Sequence, residues 1–109
     1  MAQESVNTII GFLSEYLKKD GLPIERIILF GSGSKNQMTA DSDIDIAIIS
    51  QAFKGKTIFE RSDMTSNAEV ACIRKFRIPL DIITMTSQEL SAKSSLIAYS
   101  IREGVEIPV

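Results

Sequence analysis

The sequence predicts a small α/β domain with helices packed on a β-sheet, and three observations carry that reading. Val6, Ile9, Ile10, Leu13, Tyr16 and Leu17 recur at helical spacing near the start of the chain. Three short apolar runs, at residues 24–30, 43–50 and 80–85, have the length and β-branched content of strands. The resulting order, α-β-loop-β-α-β-α, sets helices against a sheet. At 109 residues the chain fits one domain, residues 1–109, without an internal repeat, low-complexity tract or linker.

Each element has its own local cause. Residues 4–19 form an amphipathic helix, in which Lys18 and Lys19 suit the negative end of the dipole and Gly21 with Pro23 stops the helix. Residues 24–30 make a strand halted at Gly31. Gly, Ser, Asn and Asp fill residues 31–42, a loop with room for one short helical turn. The second strand covers 43–50, and a connecting loop with Gly55 and polar neighbours covers 51–56. Residues 57–75 read as a helix whose apolar positions (Ile58, Phe59, Ala68, Ala71, Cys72) form a weaker stripe. Pro79 bars its continuation, and Leu80–Met85 is a third strand. A last helical region spans 87–102 with a break near Ser94; Gly104 closes it, and 105–109 add a terminal extended segment.

Composition narrows the function. A net charge of −2 argues against a broad basic surface for long nucleic acids, though not against a nucleotide held locally. The single Cys72 leaves no internal disulfide and fits a reducing cytoplasm. Met1-Ala2-Gln3-Glu4 lacks a basic leader, and no apolar run is long enough for a membrane span. With no histidine, the chain has no Ser-His-Asp triad, Cys-His pair or histidine zinc site.

The chemistry concentrates in one spacing: Phe30-Gly31-Ser32, ten residues, then Asp43-Ile44-Asp45 inside an apolar run. Residues two apart on a strand share a face, with Cα atoms roughly 6.5–7 Å apart. Two buried carboxylates so placed stay ionised only beside a cation, and hard oxygen donors select Mg²⁺ or Mn²⁺. Asp81, between Leu80 and Ile82, is a third carboxylate where a strand should be apolar. Three acids on adjacent strands can hold two metals roughly 3.5–4 Å apart. Gly31 lets a phosphate approach the backbone, and the Ser32 hydroxyl can donate to it. Gly31-Ser32-Gly33-Ser34-Lys35 is not a P-loop, because it lacks Gly-Lys-Ser/Thr and leads into another strand rather than a long helix. Asp41 reads as a turn residue, Met38, Met64 and Met85 as core filler, and Arg61, Arg74, Lys75 and Arg77 as a solvated helix face with the option of contacting phosphate or an acidic partner.

Leu29-Phe30-Gly31-Ser32 followed by Asp41-Ser42-Asp43-Ile44-Asp45-Ile46 resembles the signature of the DNA polymerase beta-like nucleotidyltransferases. The short length, Leu80-Asp81-Ile82-Ile83 and the closing Glu103-Gly104 resemble the smallest members, the minimal nucleotidyltransferase (MNT) domains of HEPN–MNT toxin–antitoxin modules. The resemblance implies an α+β fold with a small mixed sheet and flanking helices. It implies Gly31, Ser32 and Lys35 at the triphosphate of ATP, and Asp43, Asp45 and Asp81 as catalytic ligands of two Mg²⁺ ions, Asp81 also assisting deprotonation of the acceptor. It further implies AMP transfer to a tyrosine of a HEPN-type toxin, with the chain as antitoxin and a second copy or partner completing the site. The sequence departs from the family where Arg-Ala-Arg-Gly often follows Gly-Ser; here Gly33-Ser34-Lys35-Asn36 stands, with a point charge for a bidentate fork. Two alternatives stay open: a binding module that neutralises its partner by occlusion, and an adenylyltransferase of small molecules such as aminoglycosides.

Overall fold

The computed structural model describes residues 6–31 and 43–109. The first helix, α1 (Val6–Lys19), buries Ile9, Ile10, Leu13 and Leu17, the stripe its spacing predicts. Its end is a Schellman turn: the Leu22 N–H donates to Leu17 O and the Gly21 N–H to Lys18 O, both at 3.0 Å, with Gly21 at φ +88°. Strand β1 (Arg26–Phe30) follows, then β2 (Ile44–Ile49). The expected loop at 51–56 is more ordered than its composition suggests. Gln51–Phe53 form a 3₁₀ turn capped by Ser50, whose hydroxyl accepts from the Ala52 N–H and donates to Pro23 O, and Phe53 is fully buried.

Helix α2 (Ile58–Phe76) starts one residue later than predicted, because Thr57 is its N-cap in a reciprocal capping box with Glu60. It ends at Arg77, held left-handed at φ 59° and ψ 33°, a conformation that costs a side-chain-bearing residue about 1–2 kcal/mol. Its stripe differs from expectation. Ala68 and Cys72 are buried, whereas Ile58 and Phe59 are 76% and 80% exposed. Burial raises the Cys72 thiol to about 11, and its S–H donates to Ile9 O on α1. Strand β3 (Leu80–Met85) has the predicted bounds. The last helical region divides into α3 (Ser87–Leu90) and α4 (Leu96–Arg102), because Thr86 and Ser95 each cap a new helix. Strand β4 (Val105–Ile107) ends the sheet.

The sheet order is β3-β2-β1-β4; β1 runs antiparallel to β2 and β4, and β2 parallel to β3 with α2 as crossover. This is the small mixed sheet with flanking helices. One sheet face (Ile27, Leu29, Ile44, Ile46, Ile48) joins α1 and α2 in the larger core. The other (Ile28, Phe30, Ala47, Ile49, Met85) packs on Leu90, Ala98 and Ile101 of α3 and α4. Met64 and Met85 take the core-filling places expected of them. Among the described residues no helix is long and apolar enough to cross a membrane.

Candidate active site

Three strand ends converge where the sequence places its acids. β1 closes at Phe30-Gly31, β2 opens just after Asp43, and β3 opens at Leu80-Asp81. The register sets Asp45 opposite Phe30 on one side and Asp81 on the other. Strand parity turns Asp43 and Asp45 to the face of Ala47 and Ile49, and Asp81 to that of Ile83 and Met85. Adjacent strands lie about 4.8 Å apart, so Asp45 and Asp81 are side-by-side neighbours. The smaller core covers Ala47 and Ile49 and reaches this row only through Phe30, leaving Asp43 and Asp81 open to solvent.

That coverage corrects one expectation: the motif does not hold two buried anions. Asp45 alone is half-buried; Asp43, just ahead of the strand, and Asp81, on the edge strand, are exposed. Desolvation still raises the Asp45 carboxyl above its ordinary range, and the negative charges of Asp81 and then Asp43 raise it further. A cation would offset both repulsions and stabilise the half-buried charge, and the hard oxygen donors suit a divalent one. Asp43, Asp45 and Asp81 bring donors of that chemistry to one end of the sheet. As their side chains stand, no three His, Cys, Asp or Glu among the described residues are grouped so as to hold a metal ion.

Gly31 adjoins this row. A Cβ there would lie 2.5 Å from Asp45 Oδ2, and φ is +69°, so both space and backbone require glycine. We expect Gly31→Ala to lower thermal stability by roughly 1–2 kcal/mol and to displace the Asp45 carboxylate. An NMR titration of Asp45 checks this; an unmoved Asp45 resonance and unchanged melting would contradict it. Ser32, Lys35, Met38 and Asp41 lie outside the described residues.

The structure adds two residues whose setting the sequence reading missed. Glu69, on α2, is half-buried, and its carboxyl is raised first by burial and then by the charge of Asp81. Its place beside buried Ala68 and three residues before Cys72 was the available signal. Arg61 is not on a solvated face. Its guanidinium forms a bidentate pair with Glu89 (2.7 and 3.0 Å), lies 5.9 Å from the Phe53 ring centroid, and is 13% exposed. It clamps α2 to α3 rather than serving the site. An open groove of about 370 Å³ beside it is lined by Ile58, Ile82 and Thr84 along β3. Arg74 and Arg77 are exposed, as is Lys75, whose ammonium lies 5.5 Å from the Phe12 ring centroid.

Comparisons with known proteins agree with this layout. No curated protein sequence matches the chain significantly. A crystal structure from Sulfolobus solfataricus, of a protein provisionally assigned as a nucleotidyltransferase, superposes with a TM-score of 0.67 at 20% identity, covering 92% of this chain and 77% of that one. A toxin–antitoxin crystal structure with AMP-PNP gives 0.61 at 20% identity, covering 94% and 72%. The BolA domain of SufE1 from Arabidopsis thaliana gives 0.52 at 19% identity, covering 81% and 99%. At these identities the likenesses establish a shared fold. The sequence-level match is to the family model for polymerase beta nucleotidyltransferases, which spans residues 11–107 and thus β1 through β4 with the whole carboxylate row. On that match, the chain belongs to the polymerase beta nucleotidyltransferase family.

Proposed function

We propose that this chain is a divalent-metal-dependent adenylyltransferase of the cytoplasm, which moves AMP from ATP to a tyrosine hydroxyl of a HEPN-type toxin and so acts as its antitoxin. The observation that carries the proposal is the register of Asp45 against Asp81, with Asp43 and Gly31 at the same sheet end. The family membership and the likeness to a toxin–antitoxin structure with AMP-PNP support it.

Asp43, Asp45 and Asp81 would hold Mg²⁺ or Mn²⁺, which when bound supplies charge neutralisation at the phosphates and acidity at the acceptor oxygen. Gly31 leaves the backbone open to the triphosphate, with the Ser32 hydroxyl and Lys35 ammonium as its donors. Asp81 takes the acceptor's proton as the hydroxyl oxygen bonds to the α-phosphorus and the bond to pyrophosphate breaks. The small domain leaves one side of this site for the partner, or a second copy, to enclose.

The test uses purified chain, a HEPN-type candidate partner, Mg²⁺ and ATP labelled at either the α- or γ-phosphate. Label should reach the toxin from α-labelled ATP alone, fail to reach a Tyr→Phe acceptor, and disappear with EDTA. Neutralisation of the toxin without ATP, and with no label transferred, would overturn this reading in favour of occlusion. Gly33-Ser34-Lys35-Asn36, where the family often carries arginine, favours that second reading.

A further inference from the structure

On the α2 side of the sheet lies a cleft of about 420 Å³ between the last turn of α2 and the start of β3. Ile73, Pro79 and Leu80 give it apolar walls, and Arg74 and Arg77 line it with two guanidiniums. Neither guanidinium has an ion pair or side-chain hydrogen bond among the described residues. Pro79 and Leu80 precede Asp81 in the chain, but Leu80 turns to the larger core and Asp81 to the opposite sheet face, so the cleft is distinct from the carboxylate row.

The helix dipole accounts for basic residues in the last turn of α2, and Arg74 and Lys75 need no other reason. It does not account for Arg77. This residue stands past the helix in the left-handed position where glycine is the unstrained choice, and it is the sole non-glycine residue at positive φ among those described. A strained backbone that keeps a long cationic side chain in a cleft is an observation of the kind that marks a binding position.

We infer that this cleft docks the acceptor protein through an acidic segment with an apolar centre: carboxylates meet Arg74 and Arg77, and the apolar side chain rests on Ile73 and Leu80. The inference rests on the transfer reading above for the word acceptor, and names the chemistry by which the acceptor is held. Charge complementarity selects the occupant, because two unpaired guanidiniums over an apolar floor suit carboxylates flanking a hydrophobic residue. The triphosphate of ATP is the competing anion, and the test separates the two.

The probe is a fluorescent glutamate–tyrosine copolymer, with a lysine–tyrosine copolymer as control, titrated into the full chain without ATP. The wild type should bind the acidic copolymer at least tenfold more tightly than Arg74→Glu/Arg77→Glu, with affinity falling as salt rises, and should ignore the basic copolymer. Arg77→Gly removes the charge and the strain together; it should fold at least as stably as the wild type and still lose several-fold in binding. Amide shifts at Ile73 and Leu80 should accompany binding. Equal binding by wild type and both variants overturns the inference, as does a weakened affinity for Mg²⁺-ATP with unchanged copolymer binding. Specific copolymer binding, with no label reaching the toxin in the α-labelled ATP test, would leave the docking site standing and remove the transfer reading instead.

Discussion

The Asp45→Asn chain should lose nucleotidyl transfer by a factor on the order of 10²–10³ or more, yet should melt at a higher temperature than the wild type at pH 7. The loss follows from removing the central charge of the row, between Phe30 and Asp81 in the register. The gain follows from the direction of its shift. Asp45 is raised from 3.8 by burial and by the charges of Asp81 and Asp43, so the folded state holds its proton more tightly than the unfolded one. Stability from that group is complete below about pH 3.8 and is lost as pH rises through the folded value. At neutral pH the ionised wild type therefore carries a penalty that asparagine lacks. The difference in melting should be present at pH 7 and should shrink toward zero as pH falls below about 3.8. Mg²⁺ should raise the wild-type melting temperature and leave the variant where it is. Calorimetry at both pH values, with and without Mg²⁺, decides the matter; wild-type transfer by the variant, or variant melting below wild type at pH 7, would count against the role assigned to Asp45.

Phe53→Ala should destabilise the fold by about 3–5 kcal/mol, enough to unfold many domains of this size. The ring is fully buried in the larger core, held there by a 3₁₀ turn whose cap, Ser50, also ties β2 to Pro23. The Arg61 guanidinium lies over it, so the substitution also exposes the underside of the α2–α3 clamp. Urea unfolding measures the loss, and Phe53→Leu, which keeps most of the volume, should recover more than half of it. A midpoint shift below about 1 kcal/mol for Phe53→Ala would show that the turn is not part of the core.

Phe53 also marks where sequence reasoning ends. One aromatic residue between polar neighbours and Gly55 has no periodic partner, so nothing local distinguishes it from loop. Ile58 and Phe59 fail the opposite way: they are apolar, but they fall on the outward side of α2, a fact that only its packing direction decides. β3 was legible to the residue because Pro79 bars a helix and a β-branched run follows. The carboxylate row was legible because strand parity is local: Asp43 and Asp45 share a face wherever β2 lies. The neighbour that β2 meets is a property of the whole chain. Asp81 beside Asp45, Glu69 near Asp81 and Glu89 under Arg61 all arise from contacts across α2 and its ends.

The pairing of Asp45 with Asp81 carries one more consequence, and it concerns assembly rather than chemistry. Without those residues β2 would read Ile-Ile-Ala-Ile-Ile and β3 Leu-Ile-Ile-Thr-Met, strands greasy on both sides and almost indifferent to how they align. Side chains alternate with a period of two, so sliding either strand by one residue would drive its aspartate into the layer beneath α1 and α2. Only the observed alignment keeps both charges at the sheet's wet end. The acids thus serve as a ruler: the chain cannot zip β2 and β3 out of step without burying a charge, and each correctly folded molecule has its carboxylates aligned before any ligand arrives.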